Sequence, residues 1–352
     1  MPASPAPIRK RTEWPCQATR KVAWRPLAGA LMSGCGRAPR NDVAGRVLCR
    51  SARRSSSGRG ARAERVPGHG SGAGGKQDPQ WHSGCVPVGE RFFVKFAWSR
   101  PAALQVAHEI AVLDALGREP AVPYLPEVVA TSTDPLILIT RRVPGASLFD
   151  VADSIDRDRA ARQLVRFMAA LHRPATRQRA EAAVGVLTGA QLPPSVTTRT
   201  VRDRFGTWVR PDQRRTVVRW CDWADAVLGT PGPAVLLHGD LHGANQLWDH
   251  DELRVVVDFA TVGAAEPEYE LRAFPGPGMG PGLELLTAVM RHYQQVTGRQ
   301  LSADRIMAWN LRQSLGDALW HSQAGIPLND HRTPPEWVDD LAARFSALGI
   351  EP

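Results

Sequence analysis

The stretch from Val235 to Phe259, VLLHGDLHGANQLWDHDELRVVVDF, constrains the fold more than any other part of this chain. An apolar run leads into a loop of small and polar residues, and two β-type runs follow on either side of Asp249 to Glu252. That order predicts a strand, a polar loop and a β-hairpin. With Asp249 paired to Glu252 across the turn, the antiparallel register sets Gly243 opposite Asp258. Asn245 then lies two residues along on the same face, a diagonal neighbour within roughly 7 to 8 Å.

Those residue types at that spacing have a chemical use. Phosphoryl transfer from ATP needs a phosphate-binding cation, carboxylate or amide ligands for magnesium, and a carboxylate that takes or orients the proton of the acceptor hydroxyl. Asp240 and Asn245 are five residues apart, the separation between the base and the magnesium-binding Asn of a kinase catalytic loop. Singly, an Asp that caps a turn and an Asp that ends a strand are ordinary features. The combination of Asp240, Asn245, Asp258 and His238 with flanking apolar runs points to a site.

A second set of residues is consistent with the same chemistry. Lys95 lies in the β-type run FFVKF and is the only lysine in residues 81–352, where the other 27 basic residues are all arginine. Glu109 follows fourteen residues later, among Val106, Ile110 and Leu113 on the apolar stripe of a predicted helix over 101–116. A carboxylate on such a stripe is costly without a partner, and Lys95 is the expected one; an exposed surface pair is the alternative.

The chain reads as α+β with two lobes. Five strand-like segments and one helix make a small N-terminal lobe over 81–143, with CVPVG and RFFVKFAW as a hairpin, then LPEVVAT and PLILITRRV. Residues 144–352 make a larger, mainly helical lobe: DRDRAARQLVRFMAALH, 202–228 and 283–347 follow a helical period, and the catalytic-loop stretch is the exception.

Charge is concentrated at one end. Residues 1–80 carry sixteen Lys+Arg against four Asp+Glu, a net +12, whereas residues 81–352 carry 28 against 31, a net −3. The tail has no sustained apolar period and is expected to be disordered; a second reading makes it an artefact of start-site choice. Nucleic acid is expected as a partner only through this tail. GSGAGGKQ near its end imitates a phosphate loop, but Gln77 replaces the magnesium-binding hydroxyl and Pro79 interrupts any helix after it. The apolar run Leu27 to Met32 is too short for a membrane span or a signal peptide. Five widely spaced cysteines without a CxxC pair indicate neither a disulfide framework nor a zinc site, so a reducing cytoplasm is the expected compartment.

HGDLHGAN followed by VVVDF resembles the aminoglycoside phosphotransferase family, whose fold is that of protein kinases. The resemblance runs from about Trp81 to about Leu348 and is strongest over 235–274. It implies a protein-kinase-like fold, ATP and Mg2+ as cofactors, and a small-molecule hydroxyl as acceptor. Asp240 is then the catalytic base, Asn245 and Asp258 the metal ligands, Lys95 the group facing the ATP phosphates, and Glu109 its partner. PLILITRRVPGASL resembles the last strand and hinge of the small lobe, which places adenine against Arg141 and Val143. Two departures stand out. The phosphate-covering loop is reduced to a few residues around Trp81, His82, Ser83 and Gly84, and the family's Asp-Leu-Ala becomes Glu270-Leu271-Arg272.

For the acceptor, one reading has Glu266, Glu268 and Glu270 receive a cationic aminoglycoside, and Trp309, Gln313, Asp317 and Trp320, which recur at helical spacing, wall its pocket. A solvated loop and core packing are the alternative readings. A metabolic alcohol such as a sugar, homoserine or choline, or a non-catalytic kinase-like binding protein, are the rival functions.

Overall fold

The computed structural model of the protein describes residues 83–118, 120–185, 187, 208–276, 283–324 and 333–352, with backbone only for 317–324. The basic tail, the glycine-rich imitation, Trp81 and His82 lie outside the described residues.

Strands β1 (Ser83–Val88) and β2 (Phe92–Ala97) form an antiparallel hairpin that turns at Gly89, whose φ of 60° suits a residue without a Cβ. Helix α1 (Arg100–Gly117) follows; the Ser99 side chain accepts the Ala102 N–H at 3.3 Å and Pro101 sits in its first turn. Strands β3 (Val128–Thr133) and β4 (Leu136–Arg141) complete a sheet ordered β1-β2-β4-β3. Four strands, not five, make this sheet among the described residues.

Side chains alternate across a strand, so the register divides the sheet into two faces. Val88, Val94, Ile137 and Ile139 pack together on one face. Lys95, opposite Cys85 and Leu138, lies on the other, which turns toward α1 and the large lobe.

The large lobe opens with the two-residue β5 (Ala146–Ser147) and a single turn, α2 (Leu148–Val151). Helix α3 (Arg157–Leu171) is capped by Asp156, whose carboxylate accepts the Asp158 and Arg159 N–H groups at 2.9 Å each. Helices α4 (Pro174–Val184) and α5 (Pro211–Leu228) come next. The helical reading of 202–228 starts late: Pro211 occupies the first turn of α5, and 201–207 lie outside the described residues.

Strand β6 (Val235–Leu237) enters the polar loop, and a 3-10 turn (Gly243–Asn245) leads to the hairpin of β7 (Gln246–Asp249) and β8 (Glu252–Val256). Then come β9 (Gly263–Ala265), paired with β6, the short helix α6 (Pro267–Glu270), and helices α7 (Leu283–Thr297), α8 (Ala303–Ala324) and α9 (Pro334–Ala347). None of the described helices is long and apolar enough to cross a membrane.

The hairpin register corrects one expectation. Asp249 does pair with Glu252 and Trp248 with Leu253, but Leu247 then pairs with Val255, leaving Arg254 as the extra residue of a bulge. Every later pairing moves by one: the Val257 N–H donates to the Asn245 carbonyl at 2.9 Å, so Gly243 is not opposite Asp258. The bulge brings Asn245 one residue closer to Asp258 along the ladder.

One apolar core joins the lobes, from Val106 and Leu138 through Phe167 and Phe259 to Val289. Phe167 and Phe259 are fully buried, which stabilises the fold by roughly 1.5 to 3 kcal/mol apiece. A second cluster, with Trp220, Leu311 and Phe345, binds α5, α8 and α9 together.

Candidate active site

The loop after β6 is held by its own backbone. His238 is fully buried between the Phe167 and Phe259 rings, and its Nδ1 accepts the Asp240 N–H at 3.2 Å. The ring proton therefore sits on Nε2, which donates to the Val257 carbonyl at 3.0 Å and ties the loop to the end of β8. Burial pushes the His238 imidazole down to about 4, so it remains neutral. Gly239 has φ 83°, and a Cβ there would collide with the Thr261 carbonyl oxygen; only glycine fits.

Asp240 is the acid of the loop, its side chain 34% accessible. The Asn245 Nδ2 donates to its carbonyl at 2.9 Å and to Oδ2 at 3.3 Å. His242 Nδ1 accepts the Ala244 N–H at 3.2 Å, which leaves the Nε2 proton directed at Asp240 Oδ2, 3.4 Å away. Burial alone would raise the Asp240 carboxyl. The His242 hydrogen bond and the nearby His242 and Arg272 side chains outweigh it and bring the group down to about 2. Asp240 is thus an oriented, ionised carboxylate at neutral pH.

Lys95 reaches across the lobes, with Nζ 2.7 Å from Glu109 Oε2 and 2.7 Å from Asp258 Oδ1. The second Glu109 oxygen accepts the Phe259 N–H at 3.1 Å, so one helix carboxylate fixes both the strand lysine and the residue after Asp258. Burial works against the Lys95 charge, but the two carboxylates outweigh it and the amine is raised above its ordinary value. Burial raises Glu109, with Lys95 opposing. Asp258 itself is left-handed at φ 68°, a conformation that Asp tolerates better than most residues and that turns the chain out of β8.

The acidic residues expected to face an acceptor face inward instead. Glu270 is fully buried; its carboxylate accepts the His238 N–H at 2.6 Å and the Gly239 N–H at 3.0 Å. Burial pushes it up to about 7 against those bonds. Glu268 is buried and paired with Arg299 at 3.3 Å, and Glu266 with Arg305 at 2.5 Å. The Trp309 Nε1–H donates to Glu266 at 2.6 Å and its ring packs edge-on against Tyr269. Glu268 and Glu270 are scaffold here, because charged groups so deeply buried take internal partners, and the half-buried Trp309 is tied to Glu266 and Tyr269. The Asp317 and Trp320 side chains lie outside the described residues.

At the hinge, the Arg141 guanidinium forms a two-point ion pair with Glu127 at 2.5 and 2.8 Å and does not turn into the cleft. The Arg141 and Arg142 N–H groups bond the Glu127 and Arg91 carbonyls, and Val143 is the next residue along. Ser83 opens β1 opposite Ala97, on the same face as Cys85 and Lys95.

Residues 74–301 match the sequence model of the phosphotransferase enzyme family. The chain belongs to that family. No curated protein matches the sequence significantly. Among solved structures, this phosphotransferase resembles the GDP complex of wild-type aminoglycoside 2'-phosphotransferase-IIIa, at 19% identity over 76% of this chain and 90% of that one, with a TM-score of 0.60. It also resembles the GDP and kanamycin complex of APH(2")-IIIa, at 16% identity over 76% and 89%, TM-score 0.54. The streptomycin-ATP-APH(2")-IIa ternary complex matches at 14% identity over 74% and 88%, TM-score 0.50. At these identities the likeness shows a shared two-lobed, kinase-like fold.

Two residues of this phosphotransferase's site escaped the sequence reading. His242 lies inside HGDLHGAN, yet its contact with Asp240 depends on the 3-10 turn that returns Ala244 to its ring. Arg272 stands out only as a departure from the family's alanine; its position, 3.8 Å from Asp240, comes from the fold of α6.

Proposed function

We propose that this phosphotransferase moves the γ-phosphoryl group of ATP to a hydroxyl of a small molecule. One observation carries the reading: an ionised, partly exposed Asp240 bonded to Asn245, and Asp258 bonded to the Lys95–Glu109 pair, stand on one loop-and-hairpin segment whose backbone ties Asn245 to Val257, the residue before Asp258. Asp240 takes the acceptor's proton as its oxygen bonds to the γ-phosphorus and the bond to the β-phosphate oxygen breaks. Lys95, held by Glu109, faces the α- and β-phosphates. Arg141 supplies only backbone to an adenine edge, with Val143 beside it.

The donor set suits magnesium, a hard ion that takes oxygen ligands from one or two carboxylates and from phosphates. Asp258 offers a carboxylate, and Asn245 directs its Nδ2 at Asp240, which leaves Oδ1 for a cation. Bound there, magnesium would neutralise phosphate charge as the bond to the leaving group breaks.

Because the neighbouring structures hold kanamycin and streptomycin, aminoglycosides enter the first acceptor panel, beside other antibiotic hydroxyls and metabolic alcohols. Consumption of ATP with magnesium is measured for the wild type and Asp240→Ala. Acceptor-dependent turnover lost in the variant supports the reading. Neither turnover nor Mg-ATP binding by calorimetry would replace it with a non-catalytic binding protein of the same fold.

A further inference from the structure

The Glu270-Leu271-Arg272 sequence grips the catalytic loop from behind. Glu270 takes the Gly239 N–H at 3.0 Å, while Arg272 Nη2 donates to the carbonyl of the same residue at 2.6 Å. Gly239 is therefore held at both ends of its backbone, and its carbonyl belongs to the peptide that carries Asp240. A left-handed glycine next to a catalytic carboxylate is a flexible point, since glycine adopts many backbone conformations at similar cost.

Arg272 is itself held by its neighbours. Its guanidinium lies 4.1 Å over the Tyr269 ring, and Nη1 donates to the Tyr269 carbonyl at 3.1 Å. Its own carbonyl accepts the Asn310 Nδ2 at 2.8 Å, and Asn310 Oδ1 accepts Arg344 Nη1 at 3.0 Å, so α8 and α9 stand behind the grip. The side chain is buried, and its Nε has no hydrogen-bond partner among the described residues. A buried guanidinium with an unmet donor is costly to keep. Beyond Tyr269, the guanidinium touches the loop: the Gly239 carbonyl at 2.6 Å and Asp240 Oδ1 at 3.8 Å.

We propose that Arg272 is a positioning residue for phosphoryl transfer, setting the Gly239–Asp240 peptide plane and hence the direction in which the Asp240 carboxylate meets the acceptor. This rests on the phosphotransferase reading above.

Arg272→Ala, Arg272→Met and Arg272→Lys are compared with the wild type in two measurements. Hydrogen exchange over 236–242, followed by mass spectrometry, needs no acceptor: the Ala and Met variants exchange about tenfold faster, the effect of losing one charge-assisted hydrogen bond, and Lys lies nearer the wild type. Unchanged exchange in a folded Ala variant overturns the proposal. Mg-ATP turnover, with an identified acceptor or with water, is the second. In the Ala and Met variants kcat falls roughly 10- to 100-fold while KM for ATP stays within about twofold, and guanidinium ion restores part of the loss in Ala. A fall in kcat matched by a rise in KM for ATP and a lower Tm means a general structural role and also overturns it. Wild-type turnover no greater than that of Asp240→Ala counts against the phosphotransferase reading instead, and the exchange result then decides on Arg272.

Discussion

Replacing Lys95 by methionine removes the cation that pairs with both Glu109 and Asp258 and leaves Glu109, 3% exposed, with a single backbone N–H as its remaining partner among the described residues. Breaking a buried ion pair from one side costs about 3 to 5 kcal/mol, because the surviving charge stays desolvated. Two features of the structure reduce that figure. The Asp258 side chain is 41% exposed and can turn to water, and the Phe259 N–H still bonds Glu109. A loss of about 3 kcal/mol is expected for Lys95→Met near neutral pH. Burial already raises the Glu109 carboxyl, and without Lys95 it rises further, so the folded variant binds a proton that the unfolded chain releases. The deficit therefore shrinks as pH falls toward 5. Lys95→Met/Glu109→Gln, which removes both charges, recovers at least about 1.5 kcal/mol of the loss. Urea denaturation of the four proteins of this cycle at pH 5.5 and 7.5 gives the coupling energy directly. A coupling below about 0.5 kcal/mol at pH 7.5, or a deficit that grows on acidification, would refute the buried-pair argument.

Other perturbations test other parts of the site. Gly239→Ala forces a Cβ into the Thr261 carbonyl at φ 83° and should cost about 2 to 4 kcal/mol of stability by denaturant titration, together with most of the turnover. Glu270, raised to about 7 by burial, binds a proton in the folded state between its unfolded value and pH 7, so its contribution to stability is greatest in acid and declines as pH rises through that range. Glu270→Gln has no such titration, and its stability relative to the wild type should improve by about 3 kcal/mol between pH 4.5 and 7.5; parallel pH profiles would contradict this. Asp240→Asn keeps the size of the side chain and loses the base, so Mg-ATP affinity measured by calorimetry should stay near the wild-type value while turnover falls at least about a hundredfold.

The sequence by itself determined the two-lobed α+β order and the pairing of a strand lysine with a helix acid. Both follow from local rules: alternation and helical period place apolar faces, and an acid on an apolar stripe requires a cation. It also showed that Asp240, Asn245 and Asp258 belong to one loop-and-hairpin segment, since their separations are short. The tertiary structure decided what depends on residues far apart in the chain. Whether Arg254 is paired or bulged alters the register of every residue up to Asp258, and no local pattern marks the bulge. Glu266, Glu268 and Glu270 read as an acidic surface until Arg305, Arg299 and the His238 and Gly239 amides, all more than 30 residues away in sequence, arrive as their partners. Burial is what turns such acids from ligands for a cationic molecule into internal struts, and burial is a property of the packed chain.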